Sequence, residues 1–337
     1  MTREPVMLYM DSGTSTTRAY LIRDGASVDR ETVNTGTKDS AISGSNDVLL
    51  SGMLRCCDSL LRRNGLPMED VDEIWASGMV TNTFGVVEVE HVSTPVDAAK
   101  LLSTAWRHRE DKYFRRDLML IRGAKTAQPG QQVTLDNVAR MNNVRGEEIE
   151  AIGLAAGGVL PVDVDCALIS PGSHSHSLLV RNGAITDILS TFTGEVNHAI
   201  RKETILGGEL ADGPVTMEPE HVLRGLQHLE SYGFSRALYI IHATKVFGIA
   251  DDAVRTQMLE GVIAGSTISV LRSKIDQEWK DVQRIVIKGG QPYMEAYRIL
   301  CSHLMPDRET VMYDTKSQAD LALRGFLHII KLRFDMQ

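Results

Sequence analysis

Asp11, Ser12, Gly13, Thr14 and Ser15 put a carboxylate, a glycine and several hydroxyls into one short stretch, the chemistry that holds a phosphate beside a divalent cation. Gly13 can take positive φ at no steric cost, so successive backbone N–H groups can converge on an anion with the Thr14 and Ser15 hydroxyls next to it. Asp11 would repel a bare phosphate, so its carboxylate makes sense there with a cation between the two. An ordinary turn opened by an aspartate fits the same residues. Gly172 and Ser173 repeat the glycine-hydroxyl pair far downstream. A further acidic group, Glu147 and Glu148 after Gly146, sits where a helical pattern begins. Acids there suit the positive end of the helix dipole, and two acids in a first turn are also common capping chemistry.

These groups need elements to hold them. The apolar run Val6 to Met10, the polar tip, and the second run Ala19 to Ile22 closed by Asp24-Gly25 read as a β-hairpin followed by a tight turn. Residues 167 to 184 repeat that grammar: an apolar strand, Pro171-Gly172-Ser173-His174, a second apolar strand, then Arg181-Asn182-Gly183-Ala184 against Arg23-Asp24-Gly25-Ala26. Two similar halves, each with a phosphate-type hairpin, suggest a duplicated domain acting on one nucleotide.

The stretch Asp11 to Ala19 resembles the first phosphate motif of the actin, Hsp70 and hexokinase superfamily of sugar kinases. A closer resemblance is to the 2-dehydro-3-deoxygalactonokinase family within it. It rests on several blocks in order: Ala76 to Asn82, Val144 to Glu148 with Ile152-Gly153, Pro171 to His174, Phe192 to Val196, Gly261 to Gly265, and Gly289-Gly290. The resemblance implies an α/β fold of two ribonuclease H-like (actin/hexokinase-type) lobes with a nucleotide cleft between them. It also implies an ATP-dependent kinase that uses Mg2+ and phosphorylates the primary hydroxyl of a 2-keto-3-deoxy sugar acid, 2-dehydro-3-deoxy-D-galactonate first among them.

Carried over residue by residue, the resemblance makes Asp11 the magnesium residue. It gives Gly13, Thr14, Ser15, Gly172, Ser173 and His174 to the ATP phosphates and Gly289 and Gly290 to the adenosine. Larger sugar kinases place Gly-Asp before a helix, and that aspartate takes the proton of the attacking hydroxyl. Gly146-Glu147 matches it, so Glu147 is the expected general base and Glu148 the reserve. Met79 and Asn82 are expected near the sugar, and Thr193 and Glu195 at the border of the cleft. Arg145 can pair with the substrate carboxylate in bidentate fashion, or form a salt bridge to Glu148 or to a neighbouring loop. The chain departs from the family after His174: Ser175-His176-Ser177 stand where Cys-Lys-Trp is common, which removes a positive charge near the phosphates.

Composition agrees with such an enzyme. The chain has 337 residues, enough for two domains with a core each. With 43% hydrophobic and 24% charged residues it reads as ordinary globular protein rather than a disordered chain. The net charge of −8, without a Lys/Arg run, argues against a general nucleic-acid or acidic-membrane binder, so an anionic substrate needs a local basic pocket. Cys56, Cys57, Cys166 and Cys301 show no metal spacing, and adjacent Cys56-Cys57 is a poor disulfide. Reduced thiols, no signal-like leader and no bilayer-length apolar run lead to a cytoplasmic expectation. A homodimer is allowed but not indicated.

Along the chain, 28 to 34 reads as strand, Lys38 to Asp47 as exposed loop, and Asp47 to Arg63 as a helix ended by Asn64-Gly65. Glu73 to Ser77 is a strand, Pro95 to Arg109 a helix, Asp117 to Ile121 a strand, and Gly123 to Asn137 an irregular segment of the kind that forms a binding loop or lid. Helices are expected from Glu147, over Asp251 to Lys274 and from Pro292 to Leu304. Gly261, Ala264 and Gly265 give the long one a small face for a neighbour or a ligand. Arg284 to Lys288 and Val311 to Tyr313 read as strands, and Ser317 to Lys331 as a closing helix. His174 and His176 share a strand face, yet with His198 they lack a fourth zinc ligand.

The sequence thus predicts a lobe over 1–160 with the sugar and first phosphate motifs, and a nucleotide lobe over 161–337 whose last helix packs back on the first. The twin glycine tips must face one another with Asp11 and Glu147 inward. Two other readings fit the residues: a kinase of the same fold for another small sugar or polyol, and a non-catalytic nucleotide- or sugar-binding regulator.

Overall fold

The computed structural model describes residues 5–316 and 320–335. They form two compact units: residues 5–160 with 183–187 and 320–335, and residues 161–182 with 188–316.

In the first unit, β1 (Met7–Ser12) and β2 (Thr17–Arg23) form the antiparallel hairpin, and β3 (Ala26–Val33) follows through the Asp24-Gly25 turn. Asp24 at φ 52° and Gly25 at φ 67° are both left-handed, as a type I′ turn requires. Exposed and half-buried residues alternate along β3, as on a strand with one wet face. Residues 38 to 47 are not the loop expected from their small polar composition. Thr37–Ser43 is a short helix, α1, held by backbone bonds from Thr37 and Lys38 to the Gly13 and Thr14 carbonyls and by Asp39 on the Gly36 N–H. Its support is tertiary, which local composition does not reveal. Helix α2 (Asp47–Arg63) lays Leu49, Met53, Cys57 and Leu60 into the core.

Next come β4 (Glu73–Gly78), parallel to β1, and β5 (Val92–Ser93). The helix expected over 95 to 109 is shorter: α3 (Ala98–Ser103) is capped by Asp97, and Trp106–Glu110 is instead edge strand β6, antiparallel to β7 (Arg116–Leu120). An edge strand needs apolar contact on little of its surface, so Trp106 and its charged neighbours carry no clear period. The main sheet runs β3-β2-β1-β4-β7-β6. Short strands β8 (Ala124–Lys125) and β9 (Asn143–Val144) pair beside β5, and α4 (Glu147–Ala156) follows.

The second unit repeats the plan. β10 (Cys166–Ser170) and β11 (Ser175–Arg181) are antiparallel, and Asn182 and Gly183, at φ 51° and 74°, turn the chain into β12 (Ala184–Thr191). Helices α5 (Thr193–Glu203), α6 (Pro219–Tyr232), α7 (Phe234–Val246) and α8 (Asp252–Gln277) lead to β13 (Arg284–Gly289), parallel to β10. α9 (Tyr293–Leu304) and β14 (Glu309–Asp314) complete a sheet ordered β12-β11-β10-β13-β14. The order matches β3-β2-β1-β4-β7 strand for strand, so the repeat in the sequence is a repeat in topology. The small face of α8 meets a neighbouring helix: a Cβ at Gly261 would stand 2.0 Å from the Val222 carbonyl of α6.

The closing helix α10 (Leu321–Asp335) belongs to the first unit. Residues 317–319 of its expected span lie outside the described residues. Phe326 stacks on Tyr9 at 4.2 Å between ring centres, and a Cβ at Gly325 would stand 2.1 Å from the Ile149 carbonyl of α4.

Candidate active site

In the first unit the candidate residues gather around Gly78, at the end of β4. β1 and β4 are in register, Asp11 beside Ser77 and Ser12 beside Gly78. Gly78 has φ 81°, and a Cβ there would stand 2.6 Å from the Ser12 carbonyl and 3.5 Å from Asp11 Oδ1. A Cβ at Gly146 would stand 3.7 Å from Gly78 Cα. Two strands and the residue before α4 thus meet at one glycine, which lies near Asp11 and one residue short of Glu147 in the chain. Asp11 is a fifth exposed, and Arg18 lies 3.3 Å from its Oδ2. Tyr9 sits beneath with its hydroxyl 2.7 Å from Ser77 Oγ, and burial raises its pKa well above the usual range.

Glu147 is the half-buried first residue of α4, after Gly146 at φ 110°. Glu148 was expected as a substrate contact and reserve base, but it is fully buried and accepts the Gly146 N–H through both carboxylate oxygens, at 3.0 and 2.8 Å. Burial, and then the Glu147 charge, pushes its pKa up to about 8. The side chain that follows the first helical position is buried and turned back onto the backbone ahead of α4.

Arg145 is bonded to the neighbouring loop, one of its two expected alternatives to a substrate carboxylate. Its Nη1 donates to Thr81 Oγ1 at 2.5 Å and its Nη2 to the Val89 carbonyl at 2.9 Å, which ties the Gly78–Asn82 segment to α4. Met79 is half-buried in a one-turn 3-10 helix on that segment; Asn82 closes the turn, with Oδ1 accepting the Phe84 N–H at 2.8 Å.

Gly13, Thr14 and Ser15 form the tip of the first hairpin, with Thr14 and Ser15 exposed. Gly13 does not use positive φ; its N–H donates to the Thr16 carbonyl at 2.9 Å. A Cβ at Gly36 would stand 2.4 Å from the Thr14 carbonyl, so the tip lies against the chain before α1.

The second unit contains a pocket of about 470 Å3. Gly172, Thr193 and Gly194 line one part of it, Gly289, Gly290 and Lys316 another, and Asn197, Arg201 and Glu260 a third. A Cβ at Gly194 would stand 2.1 Å from the Gly172 carbonyl, and the Glu195 N–H donates to the Ser173 carbonyl at 2.9 Å, so the start of α5 is fitted to the second glycine tip. Thr193 and Glu195, expected at the border of the cleft, are neighbours of the phosphate candidates. Thr193 is buried and paired with Thr267 Oγ1 at 2.6 Å, and Glu195 is exposed. His174 is exposed against Phe192, 4.5 Å between ring centres. The Gly289 carbonyl accepts the Thr315 N–H at 2.9 Å, and a Cβ at Gly290 would stand 3.3 Å from Lys316 Cε.

Sequence reading missed the polar corner of this pocket. Glu260 Oε1 accepts from Asn197 Nδ2 at 2.9 Å and from Arg201 Nη2 at 3.1 Å, and Arg201 Nε donates to Asn197 Oδ1 at 2.8 Å. Asn197 and Arg201 are one turn apart on α5, a spacing that signals a shared face but not what the face meets. Burial raises the pKa of Glu260. Among the described residues no group of three or more His, Cys, Asp or Glu side chains is placed to hold a metal ion. A lone carboxylate such as Asp11 still fits Mg2+, which takes most of its ligands from phosphates and water.

A model of the 2-keto-3-deoxy-galactonokinase family matches residues 11–327. The chain belongs to that family. The 2-dehydro-3-deoxygalactonokinase of Escherichia coli (strain K12) is 23% identical over 203 residues, a match that spans 60% of this chain and 64% of that relative's length. A crystal structure from Sinorhizobium meliloti, of a protein provisionally assigned as a 2-dehydro-3-deoxygalactonokinase, superimposes with a TM-score of 0.75 at 19% identity, covering 97% of this chain and 99% of that one. The fold shared with that structure is the two-lobed actin/hexokinase-type α/β fold. No helix among the described residues is long and apolar enough to cross a membrane.

Proposed function

We propose that the protein transfers the γ-phosphoryl group of ATP to the primary hydroxyl of a 2-keto-3-deoxy sugar acid, with 2-dehydro-3-deoxy-D-galactonate as the acceptor. Membership of the family supports the reaction. The observation that carries the assignment of roles is the convergence at Gly78, where Asp11 and the residue before α4 come close to one backbone position.

In this reading Glu147 accepts the hydroxyl proton, and Glu148 and Arg145 act only as positioning residues. Glu148 closes the first turn of α4, and Arg145 fixes the segment that carries Met79 and Asn82. Asp11 is the residue that would hold Mg2+, which supplies charge neutralisation at the phosphates when bound. Gly13, Thr14 and Ser15 on one tip and Gly172, Ser173 and His174 on the other offer backbone and hydroxyl donors to phosphate oxygens, while Gly289 and Gly290 leave room for the adenosine. Phosphoryl transfer asks mainly for alignment and charge stabilisation, so a base held by a helix terminus need not be strong. The pocket cation Lys316 offers positive charge in a region where the family's usual lysine after His174 is missing. We further propose a cytoplasmic enzyme, on its free buried cysteines, and one without nucleic-acid partners, on the net charge of −8.

The test is ADP release by the purified protein with MgATP and a panel of keto-deoxy sugar acids and polyols. Turnover with 2-dehydro-3-deoxy-D-galactonate well above the ATP-only rate is expected. Turnover with another acceptor alone would keep the reaction and change the substrate, and nucleotide binding without any turnover would favour a regulator.

A further inference from the structure

Glu260 is a buried acid with one oxygen left over. Its side chain is 5% exposed, and both its partners, Asn197 and Arg201, bond to Oε1. Oε2 has no hydrogen-bond partner among the described residues, yet it is not sealed among the buried unpaired atoms, and Glu260 lines the pocket. The carboxylate is therefore oriented through one oxygen and offers the other to whatever fills the pocket. Asn197 and the Arg201 guanidinium, both on Oε1, favour the ionised form against burial, and a carboxylate in that form accepts hydrogen bonds, so the ligand group it meets donates.

Position narrows the donor. Asn197 lies three residues beyond Gly194, about 4.5 Å further along α5 from the end that packs on the glycine tip. That is the step from a phosphate to the sugar attached to it, and too short to reach the far edge of a base. We propose that Glu260 Oε2 accepts hydrogen bonds from the vicinal hydroxyls of the nucleotide ribose, and that Asn197 and Arg201 hold it in place, so that the pocket selects ribonucleotides. This rests on the reading of the pocket as the nucleotide site. Arg201 is committed to Glu260 and Asn197, which makes it a positioning residue rather than a phosphate ligand.

Calorimetric titration of the full chain with ADP, 2′,3′-dideoxyADP and IDP in magnesium buffer tests this in the wild type and in Glu260→Gln. A hydrogen bond to a charged group sets the expected preference of the wild type for ADP over dideoxyADP at roughly 10- to 100-fold. In Glu260→Gln the ratio should fall to within about threefold. Equal wild-type binding of ADP and dideoxyADP overturns the role of Glu260 while the nucleotide reading stands. A ratio unchanged by Glu260→Gln overturns it too, as does discrimination against IDP without discrimination against dideoxyADP, which would give Oε2 to the base amine. Failure of all three to bind overturns the nucleotide reading itself. Should Glu260→Gln not fold, Asn197→Ala keeps the charge but releases one support of the carboxylate, and it should lower the same ratio.

Discussion

Glu148 accepts the Gly146 N–H through both carboxylate oxygens and so closes the turn that presents Glu147, the neighbouring acid. Of two adjacent glutamates, this one is committed to the backbone of the turn. The pKa of Glu148 is raised from an ordinary 4.5 to about 8, so across that range the folded chain keeps a proton that the unfolded chain has lost. Stability contributed by this group is full below the lower value and falls as pH rises through the window. At about 1.4 kcal/mol per pH unit, the loss amounts to a few kcal/mol. Glu148→Gln, which mimics the protonated form, should flatten the decline in urea midpoint between pH 5 and 8; an identical slope in both proteins would contradict this.

His176 works in the opposite sense. Burial first, then His174 and Lys288, lowers its pKa to about 4, and the neutral ring bonds Ser190 Oγ at 2.8 Å. Its contribution to stability is full above the ordinary 6.5 and is lost as pH falls toward 4. Its ring signals in an NMR titration should stay fixed from pH 8 to 5.5. A midpoint near 6.5 would show that the ring is solvated.

Gly194→Ala places a methyl where the Gly172 carbonyl now lies, at 2.1 Å. The second glycine tip has to move, and an overpacking cost of ~1–3 kcal/mol predicts roughly a tenfold or greater loss of ADP affinity. ADP binding at wild-type strength would show that the tip does not touch the nucleotide.

Gly325→Ala acts from outside the site. Its methyl would meet the Ile149 carbonyl of α4 at 2.1 Å, and the helix that starts with Glu147 has to shift. A loss of about 1–3 kcal/mol in stability is expected. A fall in kcat should accompany it, larger than any change in ADP affinity, because most of the proposed nucleotide contacts lie in the other unit. Stability lost with kcat intact would separate α4 placement from turnover.

Much of this was legible in the sequence because it is written in local terms. The two hairpins announce themselves by apolar runs and by Arg23 to Ala26 against Arg181 to Ala184, and both turns have the left-handed pairs these residues favour. Helix α2 follows its apolar period to Arg63, and Asn64-Gly65 ends it. What was not legible depends on contacts far apart in the chain. α1 is held by carbonyls of the hairpin tip, β6 is an edge strand without an apolar period, and the fates of Arg145 and Glu148 are decided by Thr81, Val89 and burial. The Asn197, Arg201 and Glu260 corner joins residues on two helices that no motif connects.

The central claim is that Glu147, and not its neighbour, takes the proton from the acceptor. Steady-state ADP release with MgATP and 2-dehydro-3-deoxy-D-galactonate, measured for Glu147→Gln and Glu148→Gln beside wild type, tests it most directly. The account predicts a ~10²–10⁴-fold fall in kcat for Glu147→Gln with ADP affinity unchanged, as expected for loss of a general base, and near-native kcat for Glu148→Gln at neutral pH. Near-native turnover by Glu147→Gln, with the loss falling on Glu148→Gln instead, would contradict it.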